Sequence, residues 1–212
     1  MIAPQKFFID GQVGKLETVL AEPDKLSHVG INGIAVIAHP HPLYGGTMDS
    51  KIVHTLFKTL PELGFFTVKF NFRGVGKSEG IYDNGVGEVE DVLSVTAAIK
   101  KKLSVNFNSL PLLLAGFSFG GAIQAHAAQQ LNPQQLIMVA PSVERLKAPP
   151  VVGHAACTLI IHGDRDDVVP LKSVLDWAAP QELPVVVIPG AEHFFHGRLH
   201  ILRRVILDSC RT

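Results

Sequence analysis

The chain has 212 residues, enough for one domain with one sizeable core and too few for two of ordinary size. Hydrophobic residues make up 47% and charged residues 18%, which excludes a disordered chain. Nineteen Lys and Arg balance nineteen Asp and Glu, so no global charge favours nucleic acid, an anionic membrane or a polyanionic partner.

In chain order, Lys6–Ile9, Gly11 and Leu16–Leu20 predict an antiparallel hairpin on a sheet edge. Six short apolar runs follow: Gly33–Ala38, Phe65–Phe70, Pro111–Ala115, Gln135–Val139, Cys157–Ile161 and Pro184–Ile188. They are too continuous for one-faced strands and suit a parallel sheet covered on both faces. Helical patterns occupy the gaps, at Met48–Leu60, Val86–Leu103, Phe119–Leu131, Leu171–Ala178 and His196–Asp208. In the second of these, Glu88, Glu90 and Asp91 come early and Lys100–Lys102 late, which complements the helix dipole. A hairpin leading into alternating strands and helices predicts a single α/β domain over residues 1–212. Pro141–Ala156 resists the pattern; with three prolines it holds a short helix at most.

The two cysteines, Cys157 and Cys210, match no zinc or redox spacing, and Cys157 at the head of an apolar run is expected to be a buried strand thiol. The N-terminus lacks the basic-then-apolar order of a signal peptide, and no apolar stretch reaches membrane-spanning length. The expectation is a reduced, cytoplasmic protein that contacts no membrane.

Gly116-Phe117-Ser118-Phe119-Gly120 carries the first chemistry. G-x-S-x-G is common by chance, but here it leaves an apolar strand and opens an Ala-rich helix. A serine on that sharp turn needs small neighbours, and it gains the favourable field of a helix N-terminus. The Phe119 amide then faces a developing oxyanion. A serine nucleophile needs a base, and the base needs an orienter. Two later strand-end loops supply candidates. His162-Gly163-Asp164-Arg165-Asp166-Asp167-Val168-Val169-Pro170 holds three carboxylates, and Gly190-Ala191-Glu192-His193-Phe194-Phe195-His196 holds two imidazoles. All three loops leave the presumed C-terminal ends of parallel strands, the edge where such sheets gather chemistry.

This ordered set resembles the α/β-hydrolase superfamily from about residue 15 to the end, within the general rules for nucleophile-elbow enzymes. More narrowly, His39-Pro40-His41-Pro42-Leu43-Tyr44-Gly45-Gly46 and Asn71-Phe72-Arg73-Gly74-Val75-Gly76-Lys77-Ser78-Glu79-Gly80 are similar to segments of small bacterial hydrolases of that superfamily. The resemblance implies an α/β-hydrolase fold, mostly parallel, with the antiparallel N-terminal hairpin. The short Pro141–Ala156 gap leaves no room for a substantial cap domain. The resemblance also implies roles. Gly163-x-x-Asp166 before Val169-Pro170 points to Asp166 as the acid, with Asp164 bracing the turn and Asp167 facing away. Gly190-x-x-His193-Phe194 points to His193 as the base, leaving His196 as a helix-start or surface residue. The loop after the first parallel strand implies a second oxyanion donor. Pro40 and Pro42 have no amide hydrogen, so His41 and Leu43 remain.

The expected catalytic set is Ser118, Asp166 and His193, with Phe119 and His41 or Leu43 as oxyanion donors. The expected substrate is a small-molecule ester or thioester, cleaved through an acyl-enzyme without cofactor or metal. Acyl transfer or amide cleavage on the same triad is the alternative, and a binding module that kept the fold is a further one. A zinc site built from His39, His41, His162 and His193 is the metal alternative; it lacks zinc-enzyme spacing and leaves the serine turn without purpose. Gly74-Val75-Gly76-Lys77-Ser78 looks like a phosphate loop, but position 71 is Asn rather than Gly, so it reads as a turn in which Arg73 braces neighbouring loops. Tyr44, Phe117, Phe119, Phe194 and Phe195 are candidates for an apolar rim, with Phe117 the one best suited to the core. The composition carries no indication of oligomeric state.

Overall fold

The computed structural model describes residues 3–23, 30–104 and 109–210. Its centre is an eight-stranded sheet: β1 (Gln5–Gly11), β2 (Gly14–Ala21), β3 (Gly33–Ala38), β4 (Phe65–Phe70), β5 (Leu112–Phe117), β6 (Gln135–Val139), β7 (Cys157–Gly163) and β8 (Val185–Ile188). The spatial order is β1-β2-β4-β3-β5-β6-β7-β8. The β1–β2 hairpin is antiparallel, β2 joins β4 antiparallel, and every later pairing is parallel. The expected edge hairpin and parallel strands are therefore both present, but coverage on both faces is not uniform: β8 at the far edge leaves Val187 exposed, and β7 is buried only from Ile160 onward.

The helices are α1 (Lys51–Thr59), α2 (Val86–Ser104), α3 (Phe119–Leu131), α4 (Leu171–Ala178) and α5 (Leu199–Cys210). Strand side chains alternate between faces. Ile34, Val36, Leu112 and Leu114 pack with Val92, Val95, Ala122 and Val174 from α2, α3 and α4. Ala35, Ile37, Leu113 and Ala115 pack with Ile52, Leu56, Leu202 and Ile206 from α1 and α5. Two-sided burial explains why β3, β4 and β5 read as unbroken apolar runs: every residue in them is buried. α1 starts three residues later than its apolar pattern, where Ser50 caps it by accepting from the Val53 amide. α5 likewise starts at Leu199 rather than His196, because residues 196–198 complete the turn that carries His193.

Two expectations about burial fail. Cys157 is exposed at the first position of β7, three residues before the strand becomes buried at Ile160, whereas Cys210 is buried. Of the proposed rim aromatics, Phe117, Phe119 and Phe195 are fully buried. Phe119 turns inward against the Phe72 and His41 rings, at centroid distances of 5.8 and 4.8 Å. Only Tyr44 and Phe194 are exposed.

β3 and β5 lie side by side, yet the chain leaves β3 for α1 on one face and leaves β5 for α3 on the other. Such a switch opens a crevice at the C-terminal strand ends. The loops His39–Gly46 and Gly116–Gly120 flank it, and those after β6, β7 and β8 complete its wall.

Candidate active site

Ser118 sits between β5 and α3 with φ 54° and ψ −116°, a conformation that costs an L-residue about 1–3 kcal/mol. The turn is held because its neighbours are glycines. A Cβ on Gly116 lies 2.3 Å from the Gly120 carbonyl oxygen, and one on Gly120 lies 2.4 Å from that of Ala38. Both contacts are with backbone, so neither is relieved by rotating a side chain. The Ser118 amide donates to the Val139 carbonyl, and the Ser142 amide donates to the Ser118 carbonyl, so β6 and its loop clamp the turn from the side.

The structure brings Ser118, His193 and Asp166 into one chain of hydrogen bonds. His193 Nε2 lies 3.1 Å from Ser118 Oγ, and His193 Nδ1 lies 2.7 Å from Asp166 Oδ2. The other carboxylate oxygen, Oδ1, accepts the Val168 and Val169 amides at 2.9 and 2.8 Å. Burial by itself raises the Asp166 pKa; the His193 bond and the Val169 and Val168 amides outweigh it, so the carboxyl lies below its ordinary value. An ionised Asp166 only accepts, so Nδ1 carries the imidazole proton and Nε2 is left to accept from the Ser118 hydroxyl. The side chains of Asp166 and His193 are almost wholly withdrawn from water.

The competing residues have other partners. Asp164 Oδ1 accepts the Gly190 amide at 2.6 Å, and the Arg165 amide donates to the Ala191 carbonyl. These bonds tie the β7 loop to the β8 loop and so set Asp166 beside His193. Asp167 is exposed. His196 is exposed and bonds Glu192 at 2.6 Å. His162 Nε2 donates to the Val169 carbonyl at 2.9 Å and lies 3.4 Å from Asp166 Oδ2, while its Nδ1 is buried with no partner among the described residues. His39 is held at both ring nitrogens: the Phe72 amide donates to Nε2 at 3.1 Å, and Nδ1 donates to the Pro40 carbonyl at 2.6 Å. Burial brings its pKa down to about 4, so it is neutral in both roles. Among the described residues, no three His, Cys, Asp or Glu side chains gather as a set of metal ligands.

The loop after β3 separates the two oxyanion candidates. The Leu43 amide donates to His41 Nδ1 at 3.2 Å, capping a single turn over Pro42–Tyr44. The Tyr44 and Gly46 amides both donate to the His41 carbonyl. With Nδ1 accepting, His41 Nε2 carries the proton and donates to the Tyr82 hydroxyl at 3.3 Å. Burial, then the charge of Arg145, holds the His41 pKa below its ordinary value. His41 lines the cleft above Ser118, and Leu43 does not. On the other side of Ser118, the Phe119 amide opens α3 and has no acceptor within its own helix.

Above this floor lies a cleft of about 680 Å³. Among the lining residues that sequence reading missed are Ser142 and Arg145. Ser142, the second residue after Ala140, places its hydroxyl 3.3 Å from Ser118 Oγ. Its place just beyond β6 was the signal available, because the other site loops also begin at strand ends. Arg145 donates to the Tyr44 hydroxyl at 2.9 Å across 101 positions of chain, a contact with no local signature. Arg73 is a brace: Nε and Nη2 donate to Asp91 at 3.0 and 2.8 Å, and its amide donates to the same carboxylate. The turn after β4, with Gly74 and Gly76 in the left-handed region, leads to α2 only ten residues further on.

This architecture and this serine turn are those of an α/β serine hydrolase. The sequence model of the family described as serine aminopeptidase, S33, matches residues 34–157, and the chain belongs to that family of α/β hydrolases. A structure described as an α/β serine hydrolase homologue from Coxiella burnetii is 43% identical over 99% of this chain and 98% of its own, with a TM-score of 0.82. A serine hydrolase without lid from Xanthomonas campestris is 34% identical over 98% and 94%, with a TM-score of 0.86. An uncharacterized protein of Rickettsia prowazekii is 33% identical over 99% of this chain and 89% of its own length. Among the described residues there is no cap domain either, since residues 141–156 form turns and irregular backbone, and no described helix is long and apolar enough to cross a membrane.

Proposed function

We propose that the protein hydrolyses a carboxylic ester or thioester of a small molecule through an acyl-enzyme on Ser118. The observation that carries this reading is the hydrogen-bonded sequence Ser118–His193–Asp166 at the bottom of an open cleft. Ser118 Oγ attacks the carbonyl carbon while its proton passes to His193 Nε2. Asp166 holds the imidazole tautomer and supports the imidazolium. The carbonyl oxygen, now negative, accepts from the Phe119 amide and the His41 amide; Leu43 is set aside because its amide already serves the His41 ring. The imidazolium returns the proton to the leaving oxygen or sulfur as the carbon–heteroatom bond breaks. Water then attacks the acyl-enzyme, gives its proton to His193, and releases the acid and free Ser118. Every group these steps need belongs to the chain, and no cofactor or metal has a part in them.

A second reading is amide cleavage on the same residues, favoured by the description of the matching family as a serine aminopeptidase. Labelling by a fluorophosphonate probe, lost in Ser118→Ala, tests the nucleophile. A series of p-nitrophenyl esters, acyl thioesters and aminoacyl p-nitroanilides then orders the substrate classes by kcat/KM. Fastest turnover on the anilides overturns the ester reading in favour of the second.

A further inference from the structure

The charges around the cleft are few and unequally engaged. Besides the imidazoles, its lining among the described residues holds one cation, Arg145, and one carboxylate, Glu144, both exposed on the turn after β6. The turn itself is nailed down. His126 Nε2 meets the Leu146 carbonyl at 3.0 Å, Trp177 Nε1 donates to the Ala148 carbonyl at 2.9 Å, and Gln129 donates to that of Pro150 at 2.8 Å. Arg145 is oriented further. Its Nη2 donates to the Tyr44 hydroxyl, its guanidinium carbon stands 5.1 Å from the centre of the Tyr44 ring, and Tyr44 in turn packs on His41 at 4.6 Å. An aromatic face and a neutral hydroxyl position a guanidinium without neutralising it. Among the described residues Arg145 has no carboxylate within ion-pair distance, unlike Arg73 and Arg203.

Glu144 does not fill that vacancy. It stands where the cleft meets a second groove lined by Lys147, Lys172 and Trp177, whereas Arg145 lines the reaction cleft alone. An oriented, unneutralised guanidinium in a largely apolar cleft is a site for an anion, and its planar fork matches a carboxylate. A doubly charged phosphate is disfavoured by Glu144 at the same lip. The placement selects the half of the substrate. His193, which returns the proton to the leaving group, comes from beyond β8, three strands from β5. Arg145, from the turn after β6, is drawn instead to Tyr44 on the loop that follows β3, the strand on the other side of β5. The portion reaching Arg145 is therefore the acyl group.

We infer that Arg145, oriented by Tyr44, forms a carboxylate subsite, and that the acyl group of the substrate ends in a carboxylate, as in a mono-ester or mono-thioester of a dicarboxylic acid. This rests on the ester-hydrolase reading above. The test compares kcat/KM for mono-p-nitrophenyl succinate, glutarate and adipate with that for neutral p-nitrophenyl esters of matched length. The wild-type enzyme prefers the anionic ester of one chain length. Arg145→Gln lowers the ratio of anionic to neutral kcat/KM roughly tenfold, the loss of one exposed charge-assisted contact. Tyr44→Phe, which keeps the ring and removes the hydroxyl, lowers it less. Lys172→Gln, outside the cleft, leaves the ratio as it is. The acetate ester of 4-hydroxybenzoate, whose carboxylate lies in the leaving group, shows no Arg145 dependence. Circular dichroism confirms that each variant is folded. If the wild type labels with fluorophosphonate but shows no anionic preference, or keeps that preference in Arg145→Gln, the subsite is overturned while the hydrolase reading stands. Arg145 dependence on the leaving-group carboxylate overturns the acyl assignment. Failure of both labelling and ester turnover removes the hydrolase reading and the subsite with it.

Discussion

At the floor of the cleft, the side chains of Ser118, His193 and Asp166 are buried, and each of the three has a partner on a different loop. At the mouth, Tyr44 is 71% and Phe194 48% exposed, and Arg145 reaches one hydroxyl. Both regions are built from loops at the same edge of the same sheet. They differ in how many independent constraints meet at each atom. Asp166 is fixed by two amides, one imidazole and the Asp164–Gly190 brace beneath it. Displacing the amides or the imidazole moves the reacting atoms. At the mouth the turn backbone is held but each side chain has fewer bonds, so substitutions there alter which substrate is chosen before they alter whether chemistry occurs.

The largest effects that can break this contrast lie at the floor. Ser118→Ala is expected to lower kcat on an activated ester by on the order of 10⁶-fold with the fold intact. Near-normal turnover by folded mutant protein abolishes the nucleophile assignment. Asp166→Asn is expected to cost about 10⁴-fold in kcat, since an amide at that position favours the wrong tautomer and leaves the imidazolium unsupported. Measuring Asp164→Asn beside it shows whether the loop register is right; if Asp164→Asn is the crippled variant, the acid has been misplaced.

Beneath the floor, His39 offers a stability test. Its pKa is depressed from 6.5 to about 4 in the folded protein. The unfolded chain therefore binds the extra proton first as pH falls. Stability from this residue is complete above about pH 6.5, is lost between there and about pH 4, and changes no further below, a span of roughly 3 kcal/mol. Urea unfolding across that range is expected to show the slope in the wild type and a shallower one in His39→Gln. Equal slopes remove His39 as its source.

The smallest effects sharpen the distinction within one loop. Asp164→Asn weakens the brace to Gly190 and is expected to cost about 1 kcal/mol in urea unfolding with little change in mechanism. Asp167→Asn, exposed beside it, is expected to stay within about 0.5 kcal/mol of wild type in the same measurement and to keep its kcat.

Local chemistry along the chain was sufficient for the sheet, the order of its strand–helix units and the serine turn. Continuous β-branched and large apolar runs fit only strands covered on both faces. Gly116 and Gly120 flank Ser118 because that turn brings backbone within contact distance of where their Cβ atoms stand. The Ser, Asp, His order followed from three strand ends, each readable by itself. Tertiary structure alone decided the rest. Phe119 and Phe195 are as apolar as Phe194, and only the direction of a turn decides which ring meets water. Cys157 is exposed because it opens β7, a strand whose burial begins only at Ile160. His41 and Leu43 are two residues apart and equivalent by composition; the His41 ring takes up the Leu43 amide because a single helical turn folds them together. Arg145 meets Tyr44 only when the ends of β3 and β6 lie on one edge of the sheet. Such contacts depend on distances closed by the whole fold, which no residue encodes in its neighbours.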